Sequence, residues 1–149
     1  MITVVFLDTG VLGLITHPKG SENSIKCVNW LIRHLQNGVR VCIPEICDYE
    51  LRREYYLNNN KKSLQKLDEL KDTVQYIPIT TDIMLNAAQL WAQARKEGHI
   101  TADKKALDGD VILAAQARAS LKNTDELIVA TTNIGHLAFF VTAKLWEDI

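Results

Sequence analysis

Apolar positions along this chain follow two alternating rhythms. Ile2 to Leu7 is a nearly continuous apolar run rich in β-branched residues, ended by Asp8. Such a run predicts a strand covered on both faces, as in a parallel sheet. Thr9-Gly10 predicts the start of a loop that His17-Pro18-Lys19-Gly20 continues. From Ser21 to Gln36 the spacing turns helical through Ile25, Val28, Leu31, Ile32 and Leu35, and Asn37-Gly38 supplies a left-handed stop. Val39 to Ile43 predicts a second short strand. Pro44 then suits the first turn of a helix running to about Leu57.

Asn58-Asn59-Asn60 interrupts the pattern as a helix–helix turn. Lys61 to Lys71 predicts a helix with Leu64, Leu67 and Leu70 along one side. Val74 to Ile79 reads as a third strand. Thr80 or Thr81 caps a helix that runs to Lys96 and stops at Gly98. His99 to Lys105 reads as a polar connection, and Asp108 or Gly109 as the opening of a helix reaching about Leu121. Leu127 to Thr131 is a fourth strand, and Phe139 to Thr142 a short fifth. Strands alternating with helices predict an α/β fold: a three-layer α/β/α sandwich with a mainly parallel, four- to five-stranded sheet. No repeat, low-complexity tract or linker divides the 149 residues. A single domain over 1–149 is expected, large enough to bury its core without staples.

Composition narrows the possibilities. No apolar stretch approaches the roughly 18 residues of a membrane span. The first apolar run lacks a basic flank and meets Asp8 too early for a signal peptide, so a cytoplasmic protein without membrane contact is expected. Cys27, Cys42 and Cys47 form no CxxC pair and are odd in number, which argues for small buried hydrophobes over disulfides. His17, His34, His99 and His136 lack zinc-ligand spacing. A net charge of −1 lacks the basic excess of a protein that grips long duplex DNA through many phosphates. A short RNA held by a few basic side chains and metal ions stays open.

The candidate chemistry lies in acids at strand and helix ends. In an open α/β sheet, ligands bind outside the carboxyl ends of the strands. Asp8 falls at such an end, where capping the next turn is the plainer alternative. Glu50, in the helix after strand two, shares an angular position with Ile46 and Leu57, on or beside the apolar face. An unpaired carboxylate is costly there. A cation removes that cost, and so does an ion pair with Arg53. Glu54 is a weaker second candidate, while Glu45 and Asp48 are expected to point elsewhere and be solvated. Asp108 and Asp110 sit where acids stabilise a helix dipole. That role suffices for Asp108, whereas Asp110, ahead of Leu113 and Ala114, is expected to face inward. Asn133 follows strand four with Thr131 and Thr132 beside it, and serves equally well as a turn residue. Several oxygens without clustered nitrogen or sulfur suit Mg²⁺ or Mn²⁺.

Four segments in order, Phe6-Leu7-Asp8-Thr9, Ile43 to Leu51, Asp110 to Ala115 and Thr131 to Leu137, give the chain a resemblance to PIN domains, in particular to VapC-type toxins. The resemblance spans nearly the whole sequence. It implies an endoribonuclease using Mg²⁺ or Mn²⁺, with Asp8, Glu50 and Asp110 as metal-holding acids. Asn133 stands where the family often has a fourth acid, keeping an oxygen but losing a charge, so one ion is the safer expectation. Thr131 is implied as a hydrogen-bonding support and Thr9 as a neighbour of the first acid. Whether Asp108 replaces the missing acid stays open. The resemblance further implies an RNA substrate, a homodimer and a small antitoxin partner. Arg52 and Arg53 could meet RNA or that partner, or simply form a solvated face. Two other classes compete. Haloacid-dehalogenase-like phosphatases need a second Asp two residues after the first, where this chain has Gly10. A noncatalytic PIN-like module that only binds RNA or protein is opposed by the three acids.

Overall fold

A computed structural model describes residues 2–98, 104–122 and 124–149, with side chains described except at 104–107. Five strands form one sheet: β1 (Thr3–Leu7), β2 (Arg40–Pro44), β3 (Gln75–Ile77), β4 (Glu126–Thr131) and β5 (Ala143–Leu145). Among the described residues six helices surround it: α1 (Thr9–Ile15), α2 (Glu22–Gln36), α3 (Glu45–Leu57), α4 (Lys61–Thr73), α5 (Thr81–Lys96) and α6 (Lys104–Ala119). The result is an α/β/α sandwich.

Every strand pairing is parallel, in the order β3-β2-β1-β4-β5. β1 therefore lies at the centre, and its residues Val4 to Leu7 are buried, as Val129 and Ala130 are on β4. The chain builds outward from β1 through β2 and β3, then returns to β1's other side for β4 and β5. The order thus reverses between β1 and β4. The carboxyl ends at such a switch point open a crevice with no crossover connection filling it. Asp8 and Asn133 follow the two strands that border it.

Several expectations need correction. The loop expected from Thr9 is helix α1. Two glycines disfavour a helix locally, but Val11 and Leu12 are fully buried, and tertiary packing overrides propensity. Gly10 also has a steric reason: a Cβ there would lie 2.3 Å from Thr132 Oγ1. α2 buries Cys27, Trp30 and Leu31, leaving Ile25 and Ile32 exposed, because the large Trp30 takes the core position and rotates the buried stripe. α6 is already helical at Lys104, ahead of the expected opening at Asp108 or Gly109, so neither Asp108 nor Asp110 lies in its first turn. The polar connection expected over His99 to Lys105 lies outside the described residues at 99–103. The fifth strand expected over Phe139 to Thr142 lies later: a 3-10 turn over Leu137–Phe139 takes its first residue, and β5 begins after the segment, at Ala143.

Two acids expected to be solvated are not. Asp48 is only 5% exposed and receives both Nε and Nη2 of Arg52 at 3.0 Å. Arg52 also reaches Asp68 on α4 at 2.9 Å, tying α3 to α4. Glu45 accepts the Ile79 N–H at 2.6 Å. Arg52→Ala strands the Asp48 carboxylate in the interior and is expected to cost about 3 kcal/mol. Urea denaturation measures it, and a change below a few tenths would show that the pair contributes little.

Candidate functional site

Asp8 caps α1, its Oδ1 accepting the Thr9 N–H at 2.7 Å. Its other oxygen, Oδ2, accepts the Thr131 hydroxyl at 2.7 Å. Its own N–H donates to the Ala130 carbonyl at 3.0 Å, prolonging the β1–β4 ladder by one residue. The carboxylate is thus aimed by both strands at the switch point. The Thr131 hydroxyl also accepts the Asn133 N–H at 3.1 Å, fastening the turn after β4 to the same centre. The side chain of Asn133 is exposed beside it.

Glu50 arrives from α3, half-buried, with the Thr9 hydroxyl donating to Oε1 at 3.2 Å. Thr9 therefore touches both acids, through its N–H and its hydroxyl. Its approach to α6 depends on Gly109, where a Cβ would stand 3.1 Å from Glu50 Oε2 and 3.4 Å from Oε1. The ion pair with Arg53, weighed above as an alternative, is not among the described contacts. That guanidinium lies 5.3 Å from the centroid of the Tyr49 ring. Leu57, expected to share Glu50's buried face, is 81% exposed because the last turn of α3 runs beyond the core.

Asp110 follows Gly109 on α6 and is partly buried. Burial pushes its carboxyl up to about 6, reinforced by the charges of Asp8 and Glu50 and opposed by His136. Burial likewise raises Glu50; the Thr9 hydrogen bond opposes this, the Asp8 charge adds to it, and the Arg53 charge opposes it. The charge of Asp8 thus disfavours ionisation of Glu50 and Asp110, and that of Glu50 disfavours ionisation of Asp110. Among the described residues no lysine or arginine forms an ion pair with any of them. They do not close into a ready-made ligand cluster among the described residues. Cys47 is fully buried beneath them, its thiol 3.8 Å from Asp8 Oδ1. Burial and the Asp8 charge push that thiol well above its ordinary range, so it stays protonated. The available donors are hard oxygens, a set that fits Mg²⁺ or Mn²⁺ better than zinc.

The remaining candidates lie apart. Asp108 lines an apolar groove with Met84, Trp91, Val111 and Ile112, on the α5 side of α6. Glu54 is exposed one turn beyond Glu50 and adds to the charge that Glu50 resists. Sequence reasoning passed over His136, whose charge favours ionised Asp110. Its position in the turn after β4, three residues beyond Asn133, was the available signal.

An acid whose folded pKa lies above its unfolded value stabilises the fold while protonated. That contribution is present in acid and is lost as pH rises through the folded value. Asp110 and Glu50 both shift this way. In cation-free buffer the melting temperature is therefore expected to fall between about pH 4, the ordinary carboxyl value, and about pH 7. Asp110→Asn should flatten the decline. A profile that rises over that interval, by scanning calorimetry, would contradict the electrostatics described here.

A family model described as PIN domain matches residues 5–142. No match is found among curated proteins. Among solved structures, VapBC2 from Rickettsia felis, bound to a DNA fragment from its promoter, is similar with a TM-score of 0.68 at 18% identity, covering 96% of this chain and 98% of that one. FitAcB from Neisseria gonorrhoeae gives 0.67 at 22% identity, with 97% and 99% covered. VapBC-1 from nontypeable Haemophilus influenzae gives 0.68 at 14% identity, with 97% and 98% covered. At these identities the likeness concerns the fold.

Proposed function

This chain belongs to the PIN domain family, and on that premise we propose that it is a divalent-metal-dependent endoribonuclease, the toxin of a toxin–antitoxin pair. The observation that carries this reading is that Thr9 hydrogen-bonds both Asp8 and Glu50 while Glu50 packs over Gly109, next to Asp110, at the switch point of the sheet. Arg53 eases Glu50 and His136 eases Asp110, but among the described residues neither forms an ion pair with them, and three acids gathered so are costly unless a cation joins them.

Asp8, Glu50 and Asp110 would hold Mg²⁺ or Mn²⁺, with the Asn133 amide oxygen as an accessory. When bound, such an ion activates water and neutralises charge on a phosphodiester. The chain's own residues prepare the rest. Thr131 fixes Asp8 through Oδ2, and Thr9 restrains Glu50 through Oε1. Asp110, half-buried beside the other two acids, is the carboxylate assigned to help take the proton of the attacking water. The water oxygen bonds to phosphorus, the ester P–O bond breaks, and the departing oxygen leaves with a proton from solvent.

The partners in this reading are an RNA substrate, a second copy of the chain and a small antitoxin, in the cytoplasm, with residues 1–149 acting as one domain. The VapBC and FitAcB neighbours support the antitoxin partner. The test is cleavage of RNA by the purified chain, with and without Mn²⁺, beside its Asp8→Asn variant. RNA bound but never cut would favour a noncatalytic module.

A further inference from the structure

Gln116 interrupts the apolar run of α6 and is completely buried. A buried primary amide is costly unless both ends are satisfied. Here both are. Oε1 accepts the Ile46 N–H at 3.3 Å, and Nε2 donates to the Ile77 carbonyl at 2.7 Å. The amide orientation follows from its neighbours, since an N–H demands the oxygen and a carbonyl demands the nitrogen.

The Ile46 N–H is one of the orphan donors at the start of α3. Pro44 stands at that helix's N-cap and makes no side-chain cap bond. Gln116 therefore caps α3 from another helix. Ile46 and Glu50 lie one turn apart on one face of α3. On α6, Gln116 and Asp110 lie less than two turns apart. The two helices thus meet at two points: Glu50 over Gly109, and Ile46 on Gln116.

We propose that Gln116 is a positioning residue that sets the α3–α6 register, and through it the separation of Glu50 from Asp110. The inference rests on the proposed metal-holding role of those acids. Gln116 touches neither acid. It acts through two helix backbones, and its second bond, to Ile77 at the end of β3, anchors the joint to the sheet.

Gln116→Met keeps the length and removes both hydrogen bonds. Mn²⁺ affinity, measured calorimetrically without RNA, is expected to weaken at least tenfold, the usual scale for removing an outer supporting group. Ser63→Ala, which removes a buried hydrogen bond to the Thr16 carbonyl on the α1–α4 side, controls for lost stability and should retain wild-type affinity. A second measurement needs no variant. Because binding and structure are reciprocally linked, saturating Mg²⁺ should slow hydrogen exchange at the Ile46 amide by a similar factor, relative to amides of α2. Wild-type affinity in Gln116→Met, or Ile46 exchange indifferent to Mg²⁺ that calorimetry shows to be bound, overturns the positioning role alone. A wild-type chain that binds neither ion overturns the reading of the site and this inference together.

Discussion

Asp8→Asn is expected to lower RNA cleavage by roughly a thousandfold, the scale for removing a principal electrostatic group from a reacting centre, while the chain stays folded. Asparagine caps a helix as well as aspartate does, so the bond to the Thr9 N–H that begins α1 survives. An amide at position 8 can still engage the Thr131 hydroxyl, which is able both to donate and to accept. What disappears is one negative charge among three. The same change relieves Glu50 and Asp110 of a repelling neighbour. Without metal the variant should therefore melt no lower than wild type near neutral pH. Inactivity with undiminished stability separates a functional acid from a structural one. Cleavage at the wild-type rate would remove Asp8 from the mechanism.

Withdrawing the cation should be as severe. In a chelator, wild-type cleavage is expected to vanish, and readdition of Mn²⁺ or Mg²⁺ to restore it. An ion that binds only the folded state stabilises by about 2.7 kcal/mol at a hundred times its dissociation constant. For a chain of this size that is a rise in melting temperature of roughly 5–10 °C. The rise should grow with pH as the raised carboxyls of Asp110 and Glu50 ionise, since protons and the ion compete for the same oxygens. Asp8→Asn should lose most of it. Undiminished cleavage in chelator, together with an unmoved melting temperature, would refute metal dependence.

The architecture was largely legible because β1, β2 and β4 are buried runs whose composition permits little else. Asp8 was legible as a candidate from its place at the end of such a run, Glu50 from its place beside the apolar face of its helix and Asp110 from the apolar residues that follow it, and the fold brings them into one neighbourhood. The misreadings share a cause: each concerns a residue whose environment is supplied by distant chain. α1 is helical because Val11 and Leu12 have a core to enter, which two local glycines conceal. Asp48 is buried because Arg52 and α4 enclose it. Asp108 faces α5, a partner invisible from its own segment. Gln116 left one trace, a polar residue among alanines in α6. The bonds that explain it come from Ile46 and Ile77.

The placement of β1 between β2 and β4 has a consequence for synthesis. β1 acquires its second neighbour only after residues 126–131 have been made, and the Thr131 bond to Asp8 joins positions 123 residues apart. Contacts so remote in sequence form late, because the intervening chain must first be ordered. A nascent chain that has not yet presented residues 126–131 lacks β4, and with it the fixed orientation of Asp8. Whatever chemistry Asp8 takes part in therefore waits until β4 has been made and has joined the sheet.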